Sequence, residues 1–181
     1  MKPDYNEFYD PSLVAIYNTV CPIDGYAKFY IELAKKLSVK TIIDIGCGTG
    51  LLTNELAGEG FQMIGVEPSR LMLEVAYKSP RGKQVKWIEG NAISLDEFNA
   101  DLAIMTGHVA QFHVDEDYWN NSLKSIYKAL RPGGYLAFES RNPAVQPWVN
   151  HKQHTQQHLK IPSIGHNKRF KQRKIVSLNR C

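Results

Sequence analysis

The chain has 181 residues, 43% of them hydrophobic and 22% charged, a length and balance that suit one soluble domain with a real core and exclude a disordered or collagen-like chain. Its net charge of +4 conceals a division: residues 1–139 hold 13 basic and all 18 acidic residues, whereas residues 140–181 hold the other 9 basic residues and no acid. Three cysteines (Cys21, Cys47, Cys181) make no CxxC pair and an odd number, which points away from a disulfide framework or a zinc site, and no metal is expected.

No apolar run approaches the roughly 18 residues that would span a bilayer, and the first residues, Met1 to Glu7, lack the apolar segment of a signal peptide. The expectation is a cytoplasmic protein without a membrane partner.

In chain order, the first periodic segment is a helix over about Asp24–Leu37, with Phe29, Tyr30, Leu33, Ala34 and Leu37 on one face and Pro22 and Asp24 suited to its start. The first strand is Thr41–Ile45. A glycine loop follows it, and then a helix from Leu51 to about Glu59. Further strands are predicted at Gln62–Val66, Gln84–Glu89, Leu102–Met105 and Tyr135–Phe138, each about as long as a buried strand. Ahead of the last one, Trp119, Leu123, Ile126, Tyr127 and Leu130 align on a helical face that ends at Arg131-Pro132-Gly133-Gly134, where proline cannot continue the helix. Alternating strand and helix predicts an α/β fold, a doubly wound, mostly parallel sheet. After residue 150 no helical or strand period holds over more than a few residues, and the composition is that of a poorly ordered tail.

The most informative stretch is Asp44-Ile45-Gly46-Cys47-Gly48-Thr49-Gly50, an apolar strand running into three alternating glycines and a helix. Glycine permits a tight turn and close backbone approach to a ligand, and N–H groups at a helix start face its polar parts. In a dinucleotide fingerprint the third glycine would fall at position 51, which is Leu51; it comes one residue early, at Gly50. Asp44 would also sit badly beside a pyrophosphate, and the lysine of a phosphate-cradling loop is absent. The loop therefore favours a ligand with an ammonium or sulfonium end. A second acid, Glu67, ends the next strand 21 residues after Gly46, the spacing at which nucleotide-binding α/β folds grip ribose hydroxyls.

With these residues the sequence resembles the class I S-adenosylmethionine-dependent methyltransferases. Asp44–Gly50 is similar to their first motif, Glu67 in Gly65-Val66-Glu67-Pro68-Ser69 to the second, Gly90-Asn91-Ala92 to the third, and Leu130–Gly134 to the turn before the fifth strand. The likeness runs from about Tyr9 to Trp148. It implies a Rossmann-like fold with S-adenosylmethionine as cofactor, Asp44, Gly46, Cys47, Gly48 and Gly50 facing the methionine part, Glu67 the ribose hydroxyls and Asn91 the adenine amino group, with Pro68 and Ala92 also binding the cofactor. Asn91 stands where the family more often has Asp; it keeps the carbonyl acceptor and loses the charge. Leu71 and Met72 would lie near the adenine face or serve as core, and Cys47 reads as a small packing residue and not a nucleophile.

Methyl transfer from a sulfonium requires alignment and exclusion of water, and a base only if the acceptor must lose a proton. Thr106 and Gly107, candidates to bind the cofactor, and His108 follow the fourth strand, where an open α/β sheet places its site. His108 is the candidate base, or else a pocket-lining or plain loop histidine; His113 reads as structural. Arg141 and Trp148, after the last strand, are candidates to face the acceptor. Tyr9, Asp10, Tyr17 and Tyr26 either lid the cofactor or only cover the sheet. Signatures of nucleobase amino-group and cytosine C5 methylation are absent, so a small-molecule acceptor leads.

These readings divide the chain into an N-terminal helical cap (1–40), a cofactor-binding core (41–148) and a basic tail (149–181). The family's full fold has seven strands, yet only 41 residues follow Ser140. A short or altered C-terminus, with terminal strands missing, is expected to expose a sheet edge and favour self-association. Two alternatives stand beside the small-molecule enzyme. One is a nucleic-acid methyltransferase that uses Lys168–Lys174, weakened by the acidic balance of residues 1–139. The other is an inactive, truncated cofactor-binding form.

Overall fold

Thr41–Ile45 is β-branched at every position but Asp44, and so apolar a run is satisfied only by a strand covered on both faces. It forms β1 in the computed structural model, which describes residues 8–23, 25–112, 115–141 and 174–180. The other strands are β2 (Gln62–Glu67), β3 (Lys86–Glu89), β4 (Ala100–Met105), β5 (Leu130–Arg141) and β6 (Lys174–Arg180). Their order is β3-β2-β1-β4-β5-β6, and every neighbouring pair is parallel. The helices are α1 (Pro11–Val20), α2 (Tyr26–Lys36), α3 (Leu51–Gly58), α4 (Arg70–Lys78) and α5 (Glu116–Ala129). The doubly wound, Rossmann-like α/β sheet expected from the alternation of elements is therefore present.

Alternate strand residues feed two cores. Ile42, Leu102 and Ile104 pack with Tyr30 and Leu33 of α2 and Leu52 and Leu56 of α3 on one face. Ile43, Ile45, Ala103 and Met105 pack with Ile126 and Ala129 of α5 on the other. Burying an aliphatic side chain of this size stabilises by about 1.5–3 kcal/mol, and both faces of β1 and β4 gain it. Strand order reverses at the β1–β4 pair, opening a crevice beyond the C-terminal ends of the strands.

Several elements differ from the sequence-based reading in extent. The fifth strand starts at Leu130, where it pairs with Ala100; it bends through Arg131–Gly134, with Gly133 at φ +79°, and resumes with Tyr135 opposite Leu102. The buried positions of α5 are Ser122, Ile126 and Ala129, with Trp119 and Leu123 packed beside them, while Tyr127 is 36% exposed. Small residues let this helix approach the sheet closely, which a count of large apolar residues overlooks. Asp10 caps α1, accepting hydrogen bonds from the backbone N–H groups of Ser12 and Leu13 at 2.8 and 3.2 Å, whereas α2 starts at Gly25 in the left-handed region without a side-chain cap; Asp24 lies outside the described residues. Within the basic tail, residues 174–180 pair along β5 from Tyr135 to Arg141 as a sixth strand. Ile175, Val176 and Leu178 suit a strand, but three such residues are too few to register as a period. The rest of the tail lies outside the described residues.

Candidate functional site

The loop from β1 to α3 has all three glycines at positive φ: +71° at Gly46, +55° at Gly48 and +73° at Gly50. The backbone N–H groups of Gly46 and Cys47 both donate to the Val66 carbonyl, at 2.7 and 3.1 Å, which ties the loop to the end of β2. The three glycines are needed for different reasons. A Cβ on Gly46 would lie 2.4 Å from Val109 Cγ2, and one on Gly50 would lie 2.6 Å from Trp87 Cη2. At Gly48 the nearest atom would be a ring carbon of Tyr17, 4.0 Å away, so this glycine holds open space.

Two buried carboxylates flank that space. Glu67 accepts from the Gly48 N–H with Oε2 at 3.0 Å and from the Ser69 N–H with Oε1 at 2.9 Å. Burial raises its pKa and these two bonds partly offset the rise. Asp44 accepts from the Thr53 hydroxyl with Oδ2 at 2.6 Å, and its Oδ1 is buried with no hydrogen-bond partner. Burial pushes Asp44 up to about 7, against the Thr53 bond and with help from the charge of Glu67. The site holds a strand-end acid poised to accept a positive charge. The same two carboxylates, after burial itself, raise the Cys47 thiol well above its ordinary value, so it stays protonated and packs as a small residue.

Asn91 starts a short 3₁₀ turn, Ala92–Ser94, and its Oδ1 accepts from the Ile93 N–H at 3.0 Å. Beyond β4, Gly107 (φ +60°) and His108 (φ +71°) are both left-handed, which is uncommon for a histidine. The turn is held by Glu139 of β5, a buried residue whose Oε1 accepts from the Gly107 N–H at 2.6 Å. A 3₁₀ turn, Val109–Phe112, follows.

These groups line one cleft of about 530 Å³. Its floor is the glycine loop with Asp44, Glu67, Pro68, Asn91, Ala92 and Thr106. Its roof is aromatic: Phe8, Tyr9 and Tyr17 from the N-terminal segment, Tyr26 from α2, Phe112 from the 3₁₀ turn, and Tyr118 from α5. Phe8 meets Tyr17 and Phe112 edge-on, at ring separations of 6.3 and 6.2 Å. The roof is fastened by the Ser69 hydroxyl donating to the Phe8 carbonyl at 2.5 Å and by a hydrogen bond from Thr49 to Asn18.

The cleft thus gathers Asp44, Gly46, Cys47, Gly48, Glu67, Pro68, Asn91, Ala92, Thr106, Gly107 and His108, together with Met72 and three of the tyrosines considered as a lid. Gly50 is turned instead toward Trp87 and Ala76. Arg141 ends β5, the strand between β4 and β6. Trp148 and His113 lie outside the described residues. Sequence reasoning missed Thr53, Glu139, Phe8, Phe112 and Tyr118. Thr53 was within reach, being one turn into the helix after the glycine loop; the others depend on contacts distant in sequence. Among the described residues, no helix is long and apolar enough to cross a membrane, and no group of three or more His, Cys, Asp or Glu could hold a metal ion.

Comparison with known proteins finds a match over residues 42–134 to the family model of a methyltransferase domain. An uncharacterised methyltransferase of Oceanobacillus iheyensis is 27% identical over 138 residues, covering 75% of this chain and 62% of that protein. The ubiquinone biosynthesis O-methyltransferase of Vibrio cholerae is 26% identical over 156 residues, covering 83% of this chain and 63% of the relative. The chain therefore spans less than two thirds of the length of these relatives. Among solved structures, the S-adenosylmethionine-bound amino pentose methyltransferase of Micromonospora echinaspora superposes with a TM-score of 0.56 at 21% identity, covering 61% of this chain and 48% of that one.

Proposed function

This chain belongs to the class I S-adenosylmethionine-dependent methyltransferases, and from that premise we propose that it transfers the methyl group to a small-molecule acceptor by in-line displacement. The observation that carries the reading is the orphaned Asp44 Oδ1, buried beside the open Gly48 in a cleft large enough for a nucleoside and a second small molecule. An unpaired buried carboxylate oxygen is costly unless a ligand supplies its partner, and the ammonium and sulfonium groups of S-adenosylmethionine carry the charge it lacks. The residues present fit the cofactor. Asp44 and the Gly46–Gly48 backbone would hold its methionine part, Glu67 its ribose and Asn91 its adenine, with Pro68 and Ala92 lining the same cleft.

The bound cofactor supplies an activated methyl group on a positively charged leaving sulfur. The chain's own part is positional. The two backbone bonds to Glu67 fix its carboxylate before any ligand arrives, and the aromatic side chains lining the cleft would limit water around a bound ligand. His108, held in its unusual backbone conformation on the cleft wall, is placed to take a proton from an acceptor that must lose one. Small-molecule acceptors are consistent with the relatives named as ubiquinone-biosynthesis and amino pentose methyltransferases.

Calorimetry with S-adenosylmethionine and S-adenosylhomocysteine tests this. Wild type is expected to bind both, and Gly48→Arg, which fills the cradle at a positive φ, to lose affinity by on the order of a hundredfold or more. Absence of binding by the wild type would reject the reading.

A further inference from the structure

We propose that Asn54 is a positioning residue for the methionine part of the cofactor, holding the glycine loop from behind. The inference rests on the methyl-transfer reading and adds to it a residue outside the glycines and acids of the motif.

Asn54 lies in the first turn of α3, four residues after Gly50, and outside the cleft lining. Its side-chain Nδ2 donates to the Gly50 carbonyl at 2.8 Å, and its backbone N–H donates to the same oxygen at 2.8 Å. Its Oδ1 accepts from the backbone N–H of Arg81 at 3.1 Å. The amide is thus used at both ends. Turned over, it would set oxygen against oxygen and NH₂ against N–H, so the two partners dictate its orientation. The peptide between Gly50 and Leu51 is planar and trans, so pinning its carbonyl also fixes the direction of the Leu51 N–H on the opposite side. Leu51 lines the cleft, and an N–H in the first turn of a helix has no acceptor within that helix.

The support behind the loop is itself rigid. Arg81 belongs to the turn between α4 and β3, where the Gly82 N–H donates to the Ser79 carbonyl at 2.8 Å and the Gln84 N–H to the Arg81 carbonyl at 2.9 Å. A Cβ on Gly82 would lie 2.2 Å from the Tyr77 carbonyl oxygen, so this turn sits tightly on the end of α4. Ala76 and Trp87 close around Gly50 from the same side, at 2.9 and 2.6 Å from the place of a Cβ. Gly50 therefore serves the cofactor as the seat of the loop and not as a contact. From that seat the Gly50 N–H donates to the Cys47 carbonyl at 2.9 Å, so a shift at Gly50 passes to the Cys47–Gly48 stretch beside the open space. Glu67 keeps its bond from Ser69 whatever the loop does, and Asn91 stands on a separate turn. Asn54 thus orders one end of the cleft before the ligand arrives, which reduces what binding must spend on ordering.

The test compares two ligands on the full chain by calorimetry. S-adenosylhomocysteine has the amino-acid part; 5′-methylthioadenosine has the adenine, ribose and sulfur without it. Asn54→Leu removes both side-chain bonds, and Asn54→Asp keeps the acceptor for Arg81 while setting a carboxylate against the Gly50 carbonyl. Each is expected to weaken S-adenosylhomocysteine about tenfold and 5′-methylthioadenosine less than about twofold. Asn54→Asp, which preserves shape, carries the test by itself should Asn54→Leu not fold. Equal losses for the two ligands would make Asn54 a general support of the fold and overturn its assignment to the methionine part. Unchanged S-adenosylhomocysteine affinity in Asn54→Asp would overturn it as well, and both results leave methyl transfer standing. Failure of the wild type to bind S-adenosylhomocysteine would overturn the methyl-transfer reading and this inference together.

Discussion

Asp44 is the residue at which sequence, electrostatics and ligand meet. Its folded-state pKa, about 7, lies above the ordinary 3.8 because burial disfavours the charged form. A group raised in this way contributes stability that is fully present below pH 3.8 and is lost as the pH rises through about 7. The unliganded protein should therefore melt at a lower temperature at pH 8 than at pH 6 through this group, and S-adenosylhomocysteine should raise the melting temperature more at pH 8, where the carboxylate is ionised. Asp44→Asn should flatten the pH dependence of the unliganded protein and remove most of the ligand's effect; scanning calorimetry at the two pH values, with and without ligand, reads both. Asp44 and the glycines were legible because their environment is local: the acid ends an apolar strand and the loop follows at once. Glu139 was not. Its hydrogen bond to Gly107 reaches 32 residues along the sequence, and nothing near Glu139 in the chain announces that bond.

At the scale of elements, the strands were legible wherever both faces are buried, since β-branched runs such as Thr41–Ile45 have no other stable use. Boundaries blurred where turn chemistry sits inside a strand, as at Arg131–Gly134, because proline and glycine mark a break without telling whether pairing resumes on the same strand. The first residues of β1 and β4 are joined at the edge of the sheet opposite the cleft. Asp101 Oδ2 accepts from the N–H groups of Lys40 and Thr41 at 2.8 and 2.9 Å, and its other oxygen pairs with Arg131 in the bend of β5. Burial raises the pKa of this carboxyl, but the Thr41, Arg131 and Lys40 interactions outweigh it and hold the pKa below the ordinary value. Its stabilisation is therefore present above pH 4 and lost as the pH falls. Asp101→Ala, which strands two N–H donors, should destabilise by about 1–3 kcal/mol in urea unfolding at pH 7 and by less at low pH, with S-adenosylhomocysteine affinity unaltered.

Across the whole molecule, the parallel sheet sorts the chain into two working edges. The C-terminal ends of β1, β2 and β4 carry Asp44, Glu67 and the Thr106–His108 turn, and the N-terminal ends carry the Asp101 brace. The uneven charge was legible at once, because composition needs no fold; the strand at 174–180 was not, because three apolar residues in a basic segment become a strand only when β5 lies ready beside them. The aromatic roof is equally a property of the assembled molecule. Phe8 and Phe112 are 104 residues apart and meet only after the sheet has formed.

Trp87 gives this architecture an optical consequence. Its ring lies over β2, where a Cβ on Gly65 would come within 2.3 Å of it, and it extends to Gly50 at the start of α3, while its Nε1 donates to the Gly82 carbonyl at 2.8 Å. The indole is thus wedged behind the cofactor loop, touching it without facing the cleft. Its emission should act as an intrinsic beacon for ligation. Titration with S-adenosylhomocysteine is expected to change the emission intensity, and Trp87→Phe to abolish that change; an unaltered signal in Trp87→Phe would assign it to another tryptophan. Occupancy of the cofactor loop can then be followed by light alone, with no turnover required.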